Sequence, residues 1–131
     1  MAEEKKKILI VEDDKDFLWF LRQSFDNQGL NILYAQDGEQ GLEQAKKEKP
    51  DLMLVDIQLS KVDGSKMNGI EMAKKVKENG LNPKIIFLTN MNDPMHISQA
   101  LEVTGESDYI VKVDVNIDSV IQRVKDKLGL Q

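Results

Sequence analysis

Five side chains in this sequence could do chemistry together, and each stands where an apolar run stops. Ile-Leu-Ile-Val11 runs into Glu12 and Asp13, and Leu-Met-Leu-Val55 runs into Asp56. Ile-Ile-Phe-Leu88 runs into Thr89, and Tyr-Ile-Val111 runs into Lys112. A charge is costly inside a core, so a carboxylate that ends a buried run marks the place where the chain emerges. Carboxylates gathered in one cleft raise each other's pKa and repel unless a cation joins them. Hard oxygen donors favour Mg²⁺, which binds through few carboxylates plus waters and phosphate oxygens. A lysine beside such a cluster suits a phosphoryl group, whose charge must be neutralised on several sides. A carboxylate can also be the nucleophile and carry the phosphoryl group as an acyl phosphate. Asp56, which ends the run Leu52–Val55, is the residue on which the others converge.

Whether these groups meet depends on the elements that carry them. The short apolar runs read as strands buried on both faces: Lys7–Val11, Leu30–Ala35, the run ending at Asp56, Lys84–Thr89 and Ser107–Lys112. Between them lie five helical patterns. Asp14 is placed to cap the first, with Phe17, Leu18, Leu21 and Phe25 on one face and Gly29 as its stop. Trp19 falls on roughly the opposite side of that wheel at about 100° per residue. Gln36-Asp37-Gly38 opens the second helix, with Leu42 and Ala45 inward, and Met67 to Glu78 form the third, stopped by Asn79-Gly80. Asp93-Pro94 starts a fourth, running to about Val103. Ile117, Val120, Ile121, Val124 and Leu128 mark the last. Strict alternation of buried strands and helices predicts a doubly wound parallel α/β sheet of five strands, with helices on both faces and right-handed crossovers. All strand ends then gather at one edge, where open α/β sheets hold their ligands.

Composition limits the alternatives. The 131 residues suffice for one domain with its own core, and no repeat, linker or low-complexity tract divides them. A net charge of −5 argues against a nucleic-acid surface. The apolar runs are far short of a membrane span, and no cysteine is present for disulfide or thiolate chemistry, which predicts a cytoplasmic protein. His96, near a helix start, reads as an inert surface residue, and the six methionines as core and loop filler.

Ile-Leu-Ile-Val-Glu-Asp-Asp, Pro-Asp-Leu-Met-Leu-Val-Asp, Ile-Ile-Phe-Leu-Thr and Asp-Tyr-Ile-Val-Lys, in this order, resemble the motifs of a two-component response regulator receiver domain. The resemblance runs from about Lys7 to Leu128. It implies a flavodoxin-like fold with strand order 2-1-3-4-5 and a stand-alone receiver over residues 1–131, without an output domain. It implies that Asp56 is the phosphoacceptor, served by a histidine kinase or a histidine phosphotransfer protein. Asp13, Asp56 and the Gln58 backbone carbonyl would ligate Mg²⁺, with Glu12 acting through water. Lys112 would pair with the acyl phosphate, and Thr89 would bind a phosphoryl oxygen and draw Tyr109 inward as the switch. Asn90 and Met91 would tune access to the phosphoryl group and its lifetime, with Gln58 sharing the second task. Trp19 becomes a candidate contact for the phosphodonor. The output would be binding to another protein, whose identity the sequence does not give, or passage of the phosphoryl group onward in a relay.

Three departures from the family pattern stand out. The loop 57–66 is roughly five residues longer than usual, so Asp63-Gly64 and Asn68-Gly69 compete for one motif position. Val113 replaces the usual proline after Lys112. Asn90 replaces a small residue after Thr89. These leave one rival reading, a receiver-like docking module that is never phosphorylated. Other classes fit worse. An FMN carrier needs Ser, Thr and Gly where Glu12-Asp13-Asp14 stands, and an aspartyl phosphatase needs a second Asp at position 58.

Overall fold

The computed structural model describes residues 5–26, 28–59, 67–90, 98–99, 102–103, 109–114 and 116–130. β1 (Lys7–Val11), β2 (Asn31–Ala35), β3 (Leu52–Asp56), β4 (Lys84–Thr89) and β5 (Tyr109–Val111) form one parallel sheet in the order β2-β1-β3-β4-β5. With them stand α1 (Lys15–Phe25), α2 (Gly38–Glu48), α3 (Gly69–Glu78) and α4 (Ile117–Leu128). The described residues thus hold four complete helices where the sequence predicts five. The helix expected from Asp93 to Val103 falls mostly outside the described residues, among which 98–99 and 102–103 are helical. No described helix is long and apolar enough to cross a membrane.

The sheet separates two apolar layers by simple alternation, because successive side chains on a strand point to opposite faces. Leu9, Val11, Met53, Val55, Ile85 and Phe87 pack with Ala45 of α2 and with Met72, Ala73 and Val76 of α3. Ile8, Ile10, Leu52, Leu54, Ile86, Leu88 and Ile110 pack with Leu18, Leu21 and Phe25 of α1 and Val120 and Val124 of α4. Both faces are covered, so β1, β3 and β4 are almost continuously apolar. Each fully buried aliphatic or aromatic side chain contributes about 1.5–3 kcal/mol relative to exposure. β2, at the sheet edge, is only half-buried along Ile32, Leu33 and Tyr34, because a neighbour covers it on one side alone.

Helix ends differ from the sequence reading in two places. α1 stops at Phe25, with Asp26 as its C-cap in extended conformation. The predicted stop, Gly29, instead makes a left-handed turn into β2 with φ of 75°. An aspartate disfavours the negative end of a helix, and the buried face is already complete at Phe25. α3 begins at Gly69, not Met67, because Asn68 caps it: its side chain accepts from the Glu71 amide while the Glu71 side chain accepts from the Asn68 amide.

Candidate functional site at the carboxyl edge of the sheet

The alternation that builds the two layers also builds the site. Asp56 ends β3 one step of two residues beyond Leu54, so it starts from the face that carries α1 and α4, and Glu12 and Lys112 follow directly after β1 and β5. Thr89 and Tyr109 share instead the face of Phe87, and Tyr109 packs against that layer. Asp56 lies opposite Leu88 in the β3–β4 register, and Thr89 is the next residue along. Glu12, Asp56 and Thr89 are the buried polar residues among those described.

Lys112 is the first residue of a 3₁₀ turn that follows β5, and its side chain is only 8% exposed. Its ammonium lies 2.5 Å from Glu12 Oε1 and 3.5 Å from Asp56 Oδ2. The other oxygen of Asp56 accepts a hydrogen bond from the Gln58 amide at 3.0 Å, which fixes the turn of the carboxyl group. Glu12 Oε2 accepts from the Asp14 amide at 3.2 Å. Asp14 in turn caps α1, its Oδ1 accepting from the amides of Asp16 and Phe17. Carboxylate oxygens of Glu12, Asp13 and Asp56 lie within 4.8 Å of one another.

Burial pushes the Glu12 carboxyl from 4.5 up to about 8, and the neighbouring Asp56 adds to the rise, against the opposing pull of Lys112. Burial works against the Lys112 ammonium, but Glu12 and Asp56 outweigh it and hold Lys112 above its usual range. One buried lysine therefore does not satisfy the cluster. Glu12 Oε1 makes no well-directed hydrogen bond even with the ammonium close by. An all-oxygen donor set of crowded carboxylates, two of them buried, fits a hard divalent cation such as Mg²⁺.

The competition between the two Asx-Gly pairs is resolved by packing. The Gly69 amide donates to the Ile57 carbonyl at 3.0 Å, and any Cβ on Gly69 would overlap the backbone carbonyl of Asp56. Asn68-Gly69 therefore holds the end of β3 against the start of α3; Asp63-Gly64 lies outside the described residues. The remaining predicted positions are distributed as follows. Gln58 is half-buried beside Asp56, and Asn90 is exposed just past Thr89. Met91 and His96 lie outside the described residues. Trp19 is 62% exposed on α1, the outward position its wheel angle predicts, and Val113 is 75% exposed beside Lys112.

Two residues of the site escape sequence reasoning. Gly69 was one of two equal candidates until the close approach to Asp56 separated them. Phe17 reads as an ordinary core position of α1, yet its ring lies under the Lys112 ammonium, 4.5 Å from the ring centre. Spacing alone carries no signal for a contact between positions that far apart in the chain.

Comparison with known proteins identifies the family. A family model for the response regulator receiver domain matches residues 8–125. The chain belongs to that family. A receiver-domain protein from Methanospirillum hungatei superposes with a TM-score of 0.84 at 28% identity, covering 96% of this chain and 95% of that one. A two-component response regulator from Clostridium difficile gives 0.83 at 29% identity, covering 95% and 97%. In sequence, this receiver domain is 32% identical to the alkaline phosphatase synthesis transcriptional regulatory protein PhoP of Bacillus subtilis, over 90% of this chain and 49% of that protein. It is 31% identical to the response regulator ArlR of Staphylococcus saprophyticus, over 95% and 53%. The chain thus spans about half the length of the curated relatives it matches.

Proposed function

We propose that residues 1–131 form one cytoplasmic receiver domain that accepts a phosphoryl group on Asp56 from a phosphohistidine of a histidine kinase or histidine phosphotransfer protein. The modified domain then changes which protein it binds. The observation that carries this reading is the setting of Asp56: buried, one oxygen held by the Gln58 amide, the other facing the Lys112 ammonium. An oxygen of Asp56 forms the new bond to phosphorus as the phosphorus–nitrogen bond breaks, and the imidazole departs with that electron pair and takes up a proton. Lys112 neutralises charge on the phosphoryl oxygens. Glu12, Asp13 and Asp56, with the Gln58 carbonyl, would hold Mg²⁺, which when bound supplies the positive charge that lets carboxylates and phosphoryl oxygens share one cleft. The Thr89 hydroxyl donates to a phosphoryl oxygen, and the half-buried Tyr109 follows it inward. Asn90 and Met91 would tune access to the phosphoryl group and its lifetime.

The phosphodonor would dock on exposed apolar side chains of α1 and of the turn that holds Lys112. Trp19 and Phe20 of α1 and Val113 beside Lys112 are the large apolar residues exposed among those described. Isolated exposed apolar residues are ordinary, but two exposed aromatic side chains on α1, the helix that begins just after Glu12 and Asp13, suit a partner. The net charge of −5 supports a protein partner over a nucleic acid for this domain.

Intact mass after incubation with acetyl phosphate tests the reading, with and without Mg²⁺ and beside Asp56→Asn. One added phosphoryl group, dependent on Mg²⁺ and absent from the variant, is expected. No addition under any condition, in folded protein, would favour the docking-module reading.

A further inference from the structure

We propose that Phe17 is a positioning residue for Lys112, holding its ammonium toward the carboxylates through the face of its ring. The proposal rests on the phosphoacceptor reading for its effect on rate, but its geometry stands apart from that reading. Three groups surround the ammonium: Glu12 Oε1 at 2.5 Å, Asp56 Oδ2 at 3.5 Å and the Phe17 ring centre at 4.5 Å. An ammonium over an aromatic face within about 6 Å of its centre is attracted by the ring quadrupole, most strongly where water is excluded. With the Lys112 side chain only 8% exposed, that condition holds.

The ring is itself held. Asp14 accepts from the Phe17 amide, and the Asp14 amide donates to Glu12 Oε2, the same carboxyl group whose other oxygen faces Lys112. Glu12, Asp14, Phe17 and Lys112 therefore close a circuit that ties the end of β1 and the start of α1 to the end of β5. Among the described residues, the next side chain, Val113, is 75% exposed and so adds little restraint on the lysine. An aliphatic residue at position 17 would fill similar space and keep the helix, but it would offer no face to a cation. A flexible lysine stem would then sample positions away from Asp56.

Two measurements on the full chain test this, using Phe17→Leu and Phe17→Tyr. In the unsubstituted protein, the Lys112 ε-methylene protons, assigned by NMR, are expected upfield of those of the other lysines through the ring current. Phe17→Leu removes the displacement, and Phe17→Tyr retains it. In parallel, the rate of phosphorylation by acetyl phosphate in Mg²⁺ falls about threefold to tenfold in Phe17→Leu, the range a partly desolvated cation–π contact corresponds to, and recovers in Phe17→Tyr. Absence of the displacement in the unsubstituted protein overturns the proposal even if the leucine variant fails to fold. An unchanged rate in a folded leucine variant that has lost the displacement overturns it too. A slowed leucine variant whose tyrosine counterpart is equally slow also overturns it, since the ring face is then irrelevant. If the unsubstituted protein takes no phosphoryl group, the phosphoacceptor reading fails, and the NMR comparison alone decides the placement of Lys112.

Discussion

Gly69 lies so close to Asp56 that a single methyl group on it would collide with the Asp56 carbonyl. The neighbours it would strike are backbone atoms and Val55 of β3, which cannot swing aside as a flexible side-chain end could. The Gly69 amide is meanwhile committed to Ile57, so the first turn of α3 and the end of β3 are fixed as one piece. Gly69→Ala is therefore expected to cost about 1–3 kcal/mol, the usual range for overpacking a close contact. Chemical denaturation measures that loss, and acetyl phosphate labelling should slow as Asp56 shifts. The same substitution at an open glycine such as Gly80, which has no neighbour within 4 Å, would act only through its left-handed backbone.

Glu12 gives the fold a pH dependence with a definite sign. Its carboxyl is raised from 4.5 to about 8 in the folded chain, so the folded state holds that proton more tightly than the unfolded chain does. The associated stability is complete below 4.5 and is lost as pH rises through about 8. Lys112 is also raised, so its contribution is lost only above the ordinary lysine range and does not oppose this slope. Denaturation across the window should show stability falling toward a limiting slope of about 1.4 kcal/mol per pH unit, and Glu12→Gln should flatten it. Mg²⁺ affinity should rise over the same window, since a bound cation favours the ionised carboxylate.

Leu54 sits two residues before Asp56 in the layer shared with α1 and α4 and has no exposed surface. Leu54→Ala should destabilise the domain by about 2–5 kcal/mol through lost burial and the cavity left behind. A lowered denaturant midpoint with an unchanged m-value would identify it as a pure stability effect.

Trp19 should behave in the opposite way. At 62% exposure its replacement by alanine is expected to change stability by no more than about 0.5 kcal/mol. If α1 receives the phosphodonor, Trp19→Ala should slow transfer from a phosphorylated kinase severalfold, while labelling by acetyl phosphate stays at the unsubstituted rate. Equal rates from both donors would remove Trp19 from the docking surface.

The layers and most helix faces were legible because period-two and period-3.6 patterns depend only on local spacing, whereas the strand order came only from the family resemblance. Ile10, Leu54 and Ile110 announce one face, and two further residues along β3 lead to Asp56. What local spacing does not carry is contact between distant segments. That is why Gly64 and Gly69 were indistinguishable, and why Phe17 looked like any other core residue of α1. Helix ends fell between these cases: the Asp14 cap was legible from its type and place, whereas the stop of α1 was set by Asp26 rather than by the more conspicuous Gly29.

The two-residue alternation has one more consequence. Asp56, two residues beyond Leu54, issues from one side of the sheet, while Thr89 and Tyr109 issue from the other. A group added at their common edge would touch both sides of the partition at once. If Asp56 is modified as proposed, one event would thus be sensed in two opposite layers of the molecule.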